Sequence, residues 1–350
     1  MSLAPQLPCT SRLSVLRKPF FGLTALVLGV SFLLSATQVW AAGKTEKTAE
    51  KKGEEETIPP PEDIDLTTDD GLAMKATYFP GTKSEESIPV ILLHGLKGSR
   101  KDFTQEQGLA AFLQEKLGCA VIVPDLRGHG DSTKIKISSK RTEDLKGKKL
   151  LPTQISAMVT EDLRAVKDFL WKKNNEKALN IDKLVVVGVD MGAALALSYA
   201  AYDAYGYEQR QAKYGPLKLG RFVKGVVLIS PVTSIPGLKP TTLQVMKMPE
   251  VCRDLPVMIV VGNKSKDRFA EAERLCVIFM KSRPPAKDDR PQSITVYFYK
   301  KIETSLQGSE LLAEPSLNVP EKIAKFLTNR LLTNEDAKDY AWKERKLPHE

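Results

Sequence analysis

The residues best placed to do chemistry stand together in GVDMG at 188–192. Ahead of them, 184–187 is an unbroken apolar run that reads as a buried strand, and 193–201 behind them reads as a helix. A strand that meets a helix through G-x-[nucleophile]-x-G is a nucleophile elbow. The turn is so sharp that its flanks must be small, and the central side chain is pushed out above the sheet. The chemistry such a turn serves is acyl transfer, with serine as the usual nucleophile. Here the central residue is Asp190. The spacing predicts a scaffold for nucleophilic catalysis whose reacting atom has been changed.

The rest of the chain supplies elements to hold this turn. Residues 65–68 and 74–79 flank Asp69-Asp70-Gly71 and read as a hairpin. A continuous apolar strand at 88–93 runs into HGLKG, an amphipathic helix follows at 103–117, and the apolar strand at 119–123 runs into PDLRGHGDS. Val159, Leu163, Val166 and Leu170 fall on one helical stripe. Strands at 222–229, 256–261 and 294–298 come after the elbow, with an irregular stretch at 230–250 and a closing helix at 320–332. Apolar strands alternating with amphipathic helices give an α/β class: a mostly parallel central sheet, helices on both faces and a short lid insertion. Residues 134–149 carry Lys134, Lys136, Lys140, Arg141, Lys146, Lys148 and Lys149 against Glu143 and Asp144, and read as a basic loop that could make weak contact with an anionic surface.

Four motifs fall on these strands in order: LLHGLKG at 92–98, PDLRGHGDS at 124–132, GVDMGA at 188–193 and PVMIVVG at 256–262. On them, residues 63–333 resemble the α/β-hydrolase fold family, in style its serine aminopeptidase and monoacylglycerol-lipase-like branch. The resemblance implies an oxyanion hole from the backbone amides of Met191 and of Leu96, which follows His94 and Gly95. It implies an orienting acid just after 256–262, where Asp267 is the match. It implies a base after the last strand, where the chain has Gln307 and no histidine; in the family the histidines at the positions of His94 and His129 are structural. His349 is the second-last residue of the given sequence.

A glutamine amide cannot accept a proton at neutral pH, so base assistance is lost. Asp190 has two readings. As a helix-start residue it accepts first-turn amides and opposes the helix dipole. As a nucleophile it is similar to the elbow aspartate of haloalkane dehalogenases and epoxide hydrolases, which still need a histidine to hydrolyse the ester. Asp190, Asp267 and Gln307 are therefore not expected to form a working triad. The leading reading is a pseudo-hydrolase that binds an apolar or ester-like ligand or a protein partner. The alternatives are an active ester or peptide hydrolase with displaced groups and an Asp-nucleophile enzyme.

The ends of the chain bound the setting. The formal charge is +9, of which residues 1–41 contribute Arg12, Arg17 and Lys18 and no acid. The remaining excess is mild for this length and argues against nucleic acid. A basic segment, an uncharged apolar stretch at 20–36 and Val39-Trp40-Ala41 read as a signal peptide over 1–41, cut near Ala41, with an uncleaved membrane anchor as the alternative. Either places the folded part outside the cytoplasm. Residues 42–62 are a charged, proline-rich linker and 334–350 a polar tail expected to fray. The histidines are dispersed and no C-x-x-C occurs, so neither a metal nor a cofactor is expected. Cys119 reads as a buried thiol, and Cys252 with Cys276 as a candidate disulfide.

Overall fold

The computed structural model describes residues 58–214, 221–252, 255–282, 296–333 and 340–345, all within one unit, Glu56–Glu350. Strands β1 (Glu62–Thr67) and β2 (Leu72–Phe79) form the antiparallel hairpin around Asp69-Asp70-Gly71. β2 pairs antiparallel with β4 (Ala120–Pro124). From there the sheet is parallel through β3 (Pro89–Leu93), β7 (Leu184–Val189), β8 (Val223–Ile229), β9 (Val257–Gly262) and β10 (Val296–Ile302).

The apolar runs of these strands are buried on both faces, which is why they are continuous rather than alternating. Along β7, Leu184 and Val186 join one core layer while Val185 and Val187 join the other, and all four are fully buried. Each such side chain contributes about 1.5–3 kcal/mol relative to exposure. The first layer is closed by α3 (Leu163–Asn175), α4 (Met191–Tyr214) and α7 (Lys266–Ser282), the second by α1 (Leu109–Leu117) and α9 (Val319–Leu327). The expected stripe Val159, Leu163, Val166 and Leu170 is buried, and the chain enters α3 through α2 (Pro152–Ala157) and a π turn, Met158–Asp162. The lid insertion carries only α5 (Thr242–Val245) and α6 (Pro249–Cys252), and α8 (Glu310–Ala313) precedes α9.

Three local expectations are corrected. The helix expected over 103–117 begins only at Leu109: Gly108 caps it, and a turn in which the Gly108 amide donates to the Gln105 carbonyl (2.7 Å) separates it from the buried Phe103. The basic loop is a hairpin, β5 (Lys134–Ser138) and β6 (Arg141–Asp144), joined to the sheet by pairing of Leu72 with Ile135. Ile135 is buried between exposed lysines, the period of a strand. The tail does not fray over 340–345, where Arg345 is only 6% exposed. The Cys252 side chain lies outside the described residues, and with it the expected pairing to Cys276.

Candidate active site at the elbow

β7 and α4 meet at Asp190 with φ 49°, the left-handed region. Aspartate visits that region more readily than most residues because its short polar side chain bonds locally, so Asp190 is sterically suited to the turn. The glycines on either side are required by contact. A Cβ on Gly188 would stand 2.1 Å from the Gly192 carbonyl oxygen, and one on Gly192 would stand 2.3 Å from that of Leu93. The register then assembles the site from the ends of neighbouring strands: Leu93 lies beside Gly188, Val189 beside Ile229, and Ile229 beside Val260.

Two backbone amides beside the elbow, those of Leu96 and Met191, are without an acceptor among the described residues. The HGLKG turn that presents Leu96 is fixed by His94, which is fully buried. Its Nε2 accepts from the Leu126 amide (3.0 Å), so Nδ1 carries the proton and donates to the Gly95 carbonyl (2.8 Å). Burial pushes the His94 imidazole down to about 4, so it is neutral at pH 7. With both nitrogens engaged it serves as a brace between two motifs. His129, 5.2 Å away between ring centroids, donates from Nδ1 to the Arg127 carbonyl (2.9 Å).

The side chains of the site are engaged with one another and with nearby carbonyls. Asp190 Oδ1 is ion-paired with Arg268 Nη2. Its Oδ2 faces two glycines that leave room for it: a Cβ on Gly95 would come to 3.0 Å and one on Gly308 to 2.7 Å. Arg268 Nη2 also donates to the Ser230 carbonyl (3.0 Å), and its Nη1 lies 3.6 Å from Glu271, which accepts from Thr233 (3.1 Å). Gln307 turns to other partners. Its Nε2 donates to the Gly262 carbonyl (3.0 Å), and its Oε1 accepts from Ser230 Oγ (2.9 Å), which itself accepts from the Gly308 amide (2.8 Å). Ser230, buried at the end of β8 with φ 46°, thus ties the loop carrying Gln307 to the sheet.

Asp267 lies exposed in the first turn of α7, and it makes no hydrogen bond or ion pair with Gln307, Asp190 or Arg268. The buried Oδ1 of Asn263, next to Gly262, has no hydrogen-bond partner. His349 is outside the described residues. Cys119 is no nucleophile, since burial pushes its thiol up to about 12. Among the described residues no cluster of histidine, cysteine and carboxylate could hold a metal ion. Sequence reasoning missed Arg268 and Ser230. One signal for Arg268 was available: a cation in the first turn of a helix opposes the dipole and needs a compensating anion.

An elbow on β7, free amides on both sides of it and a mostly parallel sheet wrapped by helices define a hydrolase scaffold. The chain belongs to the alpha/beta hydrolase fold family, whose model matches residues 88–276, more than half of its length. Among solved structures it is similar to the esterase Pf2001 of Pyrococcus furiosus, at TM-score 0.52 and 16% identity over 77% of this chain and 93% of that one. It is similar to the alpha/beta hydrolase GrgF from Penicillium sp. sh18, at TM-score 0.50 and 13% identity over 78% and 99%. A third is the thermostable carboxylesterase EstE1 cloned from a metagenomic library, at TM-score 0.50 and 14% identity over 79% and 91%. These likenesses are of fold. No curated protein matches the sequence.

Proposed function

We propose that this protein is a pseudo-hydrolase, an α/β-hydrolase-fold chain that binds a ligand at the elbow without turning it over. The ion pair between Asp190 and Arg268 carries this reading. A nucleophilic carboxylate must offer an open lone pair to the reacting carbon, and a base must then activate water. At Asp190 one oxygen is held by a guanidinium, and the other faces Gly95 and Gly308. Arg268 cannot serve as the base because it does not release its proton in proteins. Gln307 cannot because its amide does not take one. The free amides of Leu96 and Met191 remain able to hold a carbonyl oxygen, which favours a neutral, apolar or ester-like ligand. The setting proposed is extracytoplasmic, on the pattern of residues 1–41, with a weak anionic-surface contact through the exposed lysines of β5 and its flanks.

The test is a screen of the purified 42–350 protein with p-nitrophenyl esters and a fluorophosphonate probe. Neither turnover nor labelling is expected. Ester turnover that disappears in Asp190→Ala would overturn the proposal. Incubation with a haloalkane or an epoxide separates the Asp-nucleophile alternative: sustained release of product would establish that enzyme instead.

A further inference from the structure

At the end of the sheet away from the elbow, residues 340–345 lie against the body in an extended segment held almost entirely by side chains. The Asn180 amide donates to the Tyr340 carbonyl (2.8 Å), and that of Asn174 to the Lys343 carbonyl (3.0 Å). Asn175 grips Arg345 on both sides of its backbone, donating to its carbonyl (2.7 Å) and accepting from its amide (3.0 Å). Trp171 Nε1 donates to that same carbonyl (2.7 Å), and Trp342 Nε1 donates back to the Asn174 carbonyl (3.2 Å). The Arg345 guanidinium is ion-paired with Asp182, whose side chain is 9% exposed, and lies over the Phe222 ring at 5.9 Å. Lys177 sits over Trp342 at 5.3 Å and Lys224 over Tyr340 at 4.9 Å.

Two features separate this from incidental tail packing. Asn174 and Asn175 end α3, where asparagine is a poor helix former, and their side chains are spent on a distant backbone. A buried guanidinium is costly unless a carboxylate and a flat apolar surface are already in place for it. Asp182, Phe222, Asn175 and Trp171 supply both, and their contacts read a peptide backbone plus one arginine.

We infer that this cleft is a recognition site for an extended peptide bearing an arginine, and that residues 340–345 are its tethered occupant. The tether raises the local concentration of the occupant, so a free peptide competes poorly with it. Weakening the tail's own anchor opens the cleft to a peptide supplied in trans.

The experiment measures fluorescence anisotropy of a labelled peptide of residues 339–347 with the full chain and with Arg345→Ala. The variant is expected to bind at least about a hundredfold tighter than the wild-type chain. A peptide with lysine in place of Arg345 is expected to bind the variant about tenfold more weakly, since an ammonium has neither the fork nor the flat face. Equal binding to the two chains, or none to either, overturns the inference, as does unchanged binding when Asp182→Asn is added to the variant. If Arg345→Ala does not fold, Arg345→Lys, which keeps Asp182 paired with a cation, takes its place with the same expected direction.

Discussion

Two arginines near the elbow end of the sheet hold aspartates, and they work under different physics. Arg127, 1% exposed, bonds Asp70 at the β1–β2 turn and Asp162 in the π turn before α3, knitting three segments together. Burial opposes every charge in that cluster. Arg127 is still pushed up by its two carboxylates, while at Asp162 burial wins and lifts the carboxyl to about 6. Arg268 and Asp190 are 26% and 32% exposed, and their bond joins α7 to the elbow. A buried cluster is expensive to break because a charge is stranded; a half-exposed pair is screened and cheap. Stability is therefore invested in the motif at 124–132, while the elbow can trade its chemistry at little cost to the fold.

The largest expected effect is on chemistry. If the amide side is intact and only side chains have been replaced, then Asp190→Ser with Gln307→His and Arg268→Ala should create an esterase. A positioned base is worth about 10²–10⁴-fold, and a histidine at 307 could donate to the Gly262 carbonyl that Gln307 now uses. Nucleophile and base act as a unit, so single changes should yield little. The Asp190→Ser, Gln307→His double with Arg268 retained should also lag, because the guanidinium still fills the space beside residue 190. Initial rates on a p-nitrophenyl ester decide it; a folded triple variant with no activity would mean that the hole or an orienting acid is missing too.

Next in size is the buried cluster. Arg127→Leu strands Asp162 and should cost about 3–5 kcal/mol in denaturant unfolding. A loss under 1 kcal/mol would erase the contrast between the two arginines.

His94 follows. Its folded value near 4 lies below the ordinary 6.5 of a histidine. A depressed value means that the native state resists the proton. The contribution is present above pH 6.5 and is lost as pH falls toward 4, by up to about 3 kcal/mol. Unfolding free energies at pH 7, 5.5 and 4 should fall more steeply for the wild type than for His94→Asn. Parallel slopes would show that the imidazole is not buried neutral.

How much of this was legible depends on sequence distance. The elbow could be read because everything it needs is local: an apolar strand, two glycines that must be small, and a helix, all within 184–201. The two core layers could be read from runs such as Leu184 to Val187 for the same reason. The hairpin at 134–144 was legible in the alternation of Lys134, Ile135, Lys136 and Ile137, but its charge masked its period. Arg268 reaches Asp190 from 78 positions away, and Arg345 reaches Trp171 from 174. Such contacts are made by strand order and helix direction, which no local pattern carries. The expectation for the acid was drawn from a motif position; α7 turns Asp267 to solvent and brings Arg268 to Asp190.

The smallest effect is the most discriminating. Arg268→Ala should change unfolding stability by no more than about 1 kcal/mol, because its partner is a third exposed and can be hydrated once released. Part of even that is offset, since removing a cation from the first turn of α7 relieves an unfavourable dipole contact of about 0.3–1 kcal/mol. The same variant should make Asp190 more reactive, because Oδ1 then has an open lone pair. Intact-mass spectrometry after incubation with a reactive epoxide should show one stable adduct in Arg268→Ala and less in the wild type, with no release, since the Gln307 amide cannot act as a base to cleave the ester. A stability loss of 3 kcal/mol or more with no gain in alkylation would make Arg268 a second Arg127, a structural clamp, and the difference between the two regions would disappear.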